Sequence, residues 1–387
     1  MNTLRTRLVR ADFPIITVVL MLSVFSCIAI YAVELANGGS HSGWIKQMML
    51  ESVGFVIMLA TMFFDFRIMR KVGWYIYGLT IVLLAAVFVI GKTINGAHSW
   101  IGLGSITFQP SELAKLAMVV VIANYMARVE ESDSPSYGMN HFLPLVSIML
   151  MPFVLTYLEP ALGQAIVIFA TFATMFVMFI KNSYFVLIFV FFVLFIGATV
   201  LIAVDYSNQA VHFINQVLVG HHILKSYQVD RIITWLNPSA QLQGSGFNVH
   251  MARIAIGSGE TFGRGIMASS GVFVPNQTSD YVFSIIGQDF GFVGSAILIF
   301  LFLILVYRLI RIGRQTSDVF AMYYTVGITG IIGVQVFENV GMDLYMSPST
   351  GITLPFVSAG GTSLWVFYFA IGLVLSAGIR SKEKITY

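Results

Sequence analysis

An acid and a base stand three residues apart in Gln109-Pro110-Ser111-Glu112-Leu113-Ala114-Lys115. On a helix that spacing puts both side chains on one face. The same residues also suit an ordinary helix start, with Pro and Glu in the first turn. A second carboxylate, Asp280, closes the polar stretch Val274-Pro275-Asn276-Gln277-Thr278-Ser279-Asp280 just before an apolar run. Partly desolvated there, it has the makings of a general base; Asp is equally a favoured helix N-cap. Arg231, Arg253 and Arg264 lie upstream. Their guanidinium forks suit phosphate groups, and they suit plain solvent or headgroup contact as well. Glu338 and Asp343 read first as packing or capping residues.

Other chemistries drop out. Residues 257–265, Gly257-Ser-Gly-Glu-Thr-Phe-Gly263-Arg-Gly265, lack the GxGxxG spacing and follow no strand, so a nucleotide loop is rejected. The seven histidines show no metal-ligand spacing, and no metal ligand is assigned. A divalent cation on the available carboxylates is compatible with the chain without being specified by it. Cys27 is the only cysteine, which excludes a disulfide or a thiolate cluster within one chain. Nothing indicates nucleic acid, because the basic residues are explained by topology.

The elements that must hold these groups are membrane helices. Charged residues are 10% of the chain and hydrophobic ones 57%; a soluble surface needs roughly 25% charged residues. Apolar stretches of about 20 residues recur at 14–33, 48–64, 73–91, 113–127, 143–158, 162–180, 184–204, 283–306, 319–340 and 353–378. The expectation is one all-α polytopic domain over 1–387 with about ten spans. Arg5, Arg7 and Arg10 precede the first span as in a signal peptide, but no small-residue cleavage site follows, so the helix reads as retained. With both termini cytoplasmic, fourteen Lys and Arg fall inside and seven outside, as the positive-inside rule demands. Two outer segments stand out, 91–112 and 205–279. The second is too long for a helix connection and too rich in Trp, Arg and aliphatic residues for disorder. It is expected to lie on the membrane surface, with a short amphipathic piece at 249–256. Acids and bases gather at the outer ends of the spans, leaving mid-span positions almost bare.

Taken in order, the motifs resemble those of the SEDS family (shape, elongation, division and sporulation proteins, RodA- and FtsW-like). They run Gly96…Trp100…Gln109-Pro110-Ser111-Glu112-x-x-Lys115, Tyr227-Gln228-x-x-Arg231…Trp235-Leu-Asn-Pro238, Gly244-x-Gly246-Phe-Asn248 and Ile254-Ala-Ile-Gly-Ser-Gly259. Ser279-Asp280-Tyr281-Val282-Phe283 and Asn339-Val-Gly341-Met342…Pro348-x-Thr-Gly351-Ile-x-Leu-Pro355-Phe-Val-Ser358 complete the set. The resemblance implies a peptidoglycan glycosyltransferase that polymerises lipid II at the outer face of the bacterial cytoplasmic membrane. It also implies that the enzyme works on a nascent glycan strand beside a class B penicillin-binding protein. Asp280 then matches an essential aspartate, and Glu112 and Lys115 a conserved pair at the cavity. Arg231, Arg253 and Arg264, with Gln109, Ser111 and Trp100, become candidate substrate contacts. The chain departs from the family at Glu159-Pro160-Ala161-Leu162-Gly163, where Pro-Asp-Leu-Gly is usual, and at Ser358-Ala359-Gly360-Gly361, where Ser-Tyr-Gly-Gly is usual. Two other readings of the same cavity are a flippase for a lipid-linked precursor and a scaffold that only recruits the penicillin-binding protein.

Overall fold

The computed structural model describes residues 9–36, 38, 42–94, 97–103, 106–132, 139–159, 161–180, 231, 234–235, 246–266 and 271–381. The expected span 184–204 and most of the segment 205–279 lie outside them.

Nine helices fall on nine of the ten expected spans: α1 (Phe13–Ala36), α2 (Ser42–Phe63), α3 (Arg67–Ile90), α4 (Pro110–Glu130), α5 (Phe142–Leu158) and α6 (Leu162–Phe179), followed by α8 (Val282–Gln315), α9 (Val319–Asp343) and α10 (Thr362–Ser381). Seven of them, α1, α2, α3, α6, α8, α9 and α10, are long and apolar enough to cross a bilayer. α3 turns Leu79, Val82 and Val89 outward, an apolar surface that suits lipid. The chain is therefore a polytopic membrane protein. α4 differs in kind: it is buried on nearly every face from Pro110 to Ala127. A helix enclosed by protein can keep Glu112, Lys115 and Asn124 inside it, where a lipid-facing helix would expose them to hydrocarbon. The amphipathic piece appears as α7 (Phe247–Ser258), which buries Val249, Ala252 and Ala255.

Two departures from the expected all-α layout have simple causes. Segment 91–112 forms a three-stranded antiparallel meander, β1 (Lys92–Ile94), β2 (Ala97–Leu103) and β3 (Ile106–Phe108). This pairs backbone groups that an irregular loop would leave unsatisfied. The tenth apolar run, expected from 353, becomes helical only at Thr362. Before it, Ile352, Leu354, Phe356 and Val357 are buried as irregular chain, because Pro348 and Pro355 lack the N–H a helix needs.

α8 is broken. Gly291 sits at φ +65° inside it, and a side chain there would overlap the backbone of Thr261 and Gly263. The glycine-rich loop 259–265 closes the break. Arg264 N–H donates to Gln288 C=O at 2.9 Å and Gly265 N–H to Asp289 C=O at 3.0 Å, while Phe292 N–H reaches Glu260 C=O at 2.9 Å. Irregular backbone at membrane depth survives only when protein satisfies it in this way.

The antiparallel helices sort their charges by end. One end is stitched by ion pairs: Arg308–Asp12 at 2.6 Å, Arg67–Asp318 at 3.4 Å and Arg70–Glu131 at 2.5 Å. The opposite end carries the sheet, Glu112, Asp280 and the close of α9. Glu51 lies well inside the bundle, in the tenth position of α2, an exception to the almost bare mid-span positions. Glu51 Oε2 accepts from Tyr368 Oη at 2.5 Å and Oε1 from Gln47 Nε2 at 2.9 Å, and the same amide reaches Ser26 Oγ at 2.9 Å. This polar node ties α1, α2 and α10 together. Tyr368→Phe removes the hydroxyl but not the ring, leaving a buried acceptor unpaired. We expect a loss of about 1–3 kcal/mol, read as a lower unfolding midpoint in detergent; an unchanged midpoint would mean that the hydroxyl contributes nothing.

Candidate active site

Asp280 lies two residues before α8, and the chain around it is pinned carbonyl by carbonyl. Thr278 C=O accepts from Ala359 N–H at 2.7 Å, and Ser279 C=O from Ser358 Oγ at 2.6 Å. Asp280 C=O accepts from Asn339 Nδ2 at 2.6 Å, and the same amide holds Ile352 C=O at 2.8 Å. Ser358 Oγ also receives Leu354 N–H at 2.8 Å. α9 and the irregular segment 344–361 thus set the position of Asp280, although no residue of either is its sequence neighbour.

Arg231 is the cation beside this carboxylate. Its Nη1 donates to Ser349 C=O at 3.1 Å. A Cβ added at Gly351 would lie 3.4 Å from Asp280 Oδ2 and 3.7 Å from Arg231 Nη1, so Gly351, at φ +72°, leaves the gap between them open. Burial raises the Asp280 carboxyl to about 6, against the opposing pull of Arg231 and of a hydrogen bond from Ser279. The residue as a whole is only partly buried. Such a group is ionised near neutral pH and close to taking up a proton, as a general base should be.

Glu112 and Lys115 form a separate unit. Their side chains pair at 2.9 Å and are each 1% exposed. Gln164 Nε2 donates to Glu112 Oε1 at 2.9 Å, and Lys115 Nζ lies 6.0 Å from the ring centre of Phe367. Leu116, Ile328, Ile331 and Val366 line the small pocket around the pair. α6 links the two units: its Gln164 holds Glu112, and its Gly163 packs directly on Thr350, the neighbour of Gly351. Of the remaining candidates, Gln109 is buried with Nε2 3.4 Å from Ser99 Oγ, and Ser111 is fully buried without a hydrogen-bond partner. Trp100 stands half-buried on β2 opposite Lys92. Arg253 stacks over Tyr345 at 5.5 Å, on the segment that Arg231 touches. Arg264 lies elsewhere, in the loop that seals the α8 break, its Nε donating to Ser258 C=O at 3.1 Å.

Sequence reasoning passed over the residues that hold Asp280. Asn339, Ser358 and Gly351 stood in its motifs without a role, and Asp343 was read as packing or capping. Asp343 does cap, but across the fold: its Oδ2 accepts the Ser284 N–H of α8 at 2.9 Å. Among the described residues no three His, Cys, Asp or Glu side chains gather as a metal site would require.

The family profile of the FtsW, RodA and SpoVE cell cycle proteins matches residues 7–383. The chain belongs to this family. Peptidoglycan glycosyltransferase MrdB of Escherichia coli (strain K12) is 31% identical over 379 residues, covering 97% of this chain and 95% of that one. Stage V sporulation protein E of Bacillus subtilis (strain 168) is 30% identical over 342 residues, 87% of each. Among solved structures, a chain from a study of the structural coordination of polymerization and crosslinking by a peptidoglycan synthase complex superposes with a TM-score of 0.75. The two are 24% identical, with 96% of this chain and 98% of that one covered. Rod shape determining protein RodA of Thermus thermophilus gives 0.65 at 23% identity, over 96% and 97%. These likenesses establish a shared fold. Against the family pattern, Ala161 caps α6 without a side-chain acceptor. Nearby Glu159 is buried with neither oxygen partnered, and burial raises its carboxyl to about 8.

A buried ion pair loses most when one partner alone is removed. Lys115→Met is expected to destabilise the protein by about 3–5 kcal/mol, and adding Glu112→Leu to recover most of that loss. Thermal unfolding in detergent checks both; equal losses in the single and double variants would contradict a buried pair.

Proposed function

We propose that this protein is a peptidoglycan glycosyltransferase that polymerises lipid II at the outer face of the bacterial cytoplasmic membrane. The observation that carries the reading is the juxtaposition of Asp280 and Arg231 across Gly351, in a chain of the FtsW, RodA and SpoVE family. Asp280 takes the proton of the acceptor sugar's 4-hydroxyl as that oxygen attacks the anomeric carbon of the lipid-linked donor. The glycosidic bond forms as the bond to the lipid pyrophosphate breaks, with inversion, as expected of a single displacement. Arg231 offsets the charge gathering on the leaving pyrophosphate. Arg253, beside Tyr345, Trp100 on β2, and Gln109 and Ser111 at the start of α4 are assigned to substrate binding. The Glu112–Lys115 pair is enclosed in this conformation, so its reach to a phosphate requires the α4–α10 contact to open.

The reading includes the ten-span topology with both termini cytoplasmic. The end stitched by Arg67, Arg70 and Arg308 then faces the cytoplasm, in keeping with the positive-inside rule, and Asp280 faces out, where lipid-borne sugars are joined. A class B penicillin-binding protein is the expected partner, and the nascent glycan strand the second substrate. A divalent cation on the pyrophosphate is compatible with this chemistry and is assigned no ligand. The flippase alternative is less well supported, because Asp280 and Arg231 sit together at one end of the bundle.

Asp280→Asn is expected to abolish glycan-chain formation from purified lipid II while the protein still inserts; normal polymerisation by that variant would refute the base assignment. A base must be ionised, so wild-type activity should fall as pH drops through about 6. Arg231 favours the ionised form, and Arg231→Ala should therefore move this acid limb to higher pH. A limb unmoved or moved downward would detach Arg231 from Asp280.

A further inference from the structure

The start of α8 lacks a cap of its own. The first N–H groups of a helix have no intrahelical acceptor, and the cap position, Tyr281, supplies none from its side chain. Its hydroxyl is engaged instead with Ser349 Oγ at 3.0 Å. Ser284 Oγ turns back to Tyr281 C=O at 2.6 Å. Ser284 N–H meets Tyr281 C=O at 3.1 Å in its own turn and gains a second, shorter acceptor from far along the chain, Asp343 Oδ2 at 2.9 Å, at the last residue of α9. Asp343 is fully buried, and a carboxylate at a helix N-terminus is favoured by the helix dipole.

Asn339 stands one turn earlier on α9, four residues before Asp343 and so on the same face. It grips Asp280 C=O, and Asp343 grips the amide four residues further on. The close of α9 is thus a two-pronged clamp on the turn that runs from Asp280 to Ser284. We propose that Asp343 is a positioning residue for the polymerase reaction: by accepting the Ser284 N–H it fixes the first turn of α8 and, with it, the direction in which Asp280 points. The inference rests on Asp280 being the base. What it demands of Asp343 is an acceptor of the right length; no substrate contact and no particular charge are required. The other oxygen, Oδ1, has no hydrogen-bond partner among the described residues, so an amide nitrogen in its place breaks no bond seen there.

The test compares wild type, Asp343→Asn, Asp343→Leu and Asp280→Asn in lipid II polymerisation. Hydrogen exchange at the start of α8 is measured in the same proteins. Asp343→Asn should keep kcat within about twofold and retain the amide protection. Asp343→Leu should lose about tenfold or more in both, because Ser284 N–H keeps only the Tyr281 C=O of its own turn and the start of α8 loses its tie to α9, with KM for lipid II little changed. Should the leucine variant fail to insert, Asp343→Ser, too short to reach Ser284, takes its place. Wild-type kcat and protection in the leucine or serine variant would overturn the inference. An asparagine variant as impaired as leucine would overturn it too, because a carboxylate's charge would then be the requirement. Failure of the underlying reading shows differently, as activity retained by Asp280→Asn.

Discussion

Backbone hydrogen bonds at the mouth of α8 govern the rest of the site. Thr278, Ser279 and Asp280 lie in irregular chain packed against membrane helices, where an unpaired carbonyl is costly. Each finds its donor in a different part of the fold: a main-chain amide at Ala359, a hydroxyl at Ser358 and an amide side chain at Asn339. Two of these donors cannot shift without releasing another group. Ser358 Oγ also holds Leu354, and Asn339 also holds Ile352, so the segment before α10 and the one before α8 are fixed together. A carboxylate mounted on such a frame keeps its direction without help from its own rotamer alone, as a catalytic base must.

The same demand explains the glycine-rich stretch 257–265. Its glycine content invites comparison with a phosphate-binding loop, yet the amides of Arg264 and Gly265 turn inward to the carbonyls of Gln288 and Asp289 beside the Gly291 break. Gly263, at φ +83°, lies so close to Asp289 C=O that any side chain would collide with it. Close backbone approach is the reason for Gly259 and Gly263, which abut the carbonyls of Gly287 and Asp289. The broken helix in turn lets α8 start under the site at one end and reach the arginine-rich end at the other.

Charges inside the bundle are tolerated on unequal terms. Glu112 and Lys115 neutralise each other within α4, the helix that protein surrounds. Among the described residues Glu51 has no cation at salt-bridge distance and is served by a phenol and an amide. Phe367 and Tyr368, neighbours on α10, connect these two centres: the first faces Lys115 and the second Glu51. α10 is thereby tied to α2 on one side and to α4 on the other.

Composition and run length alone were enough to identify a membrane bundle and nine of its described helices, because transfer into lipid is decided residue by residue over about 20 positions. Asp280 and the Glu112–Lys115 pair were likewise legible as chemistry, since a carboxylate at a helix mouth and an acid–base pair three residues apart are local patterns. The partners of these groups were not. Gln164 beside Glu112, Asp343 beneath Ser284, and Arg231 facing Asp280 across Gly351 all depend on helices distant in sequence coming to lie side by side. So does the buried loop before α10, whose apolar residues read as the opening of a span. A hydropathy run records what a segment prefers to be surrounded by; which neighbour satisfies each polar group is fixed only when the helices pack.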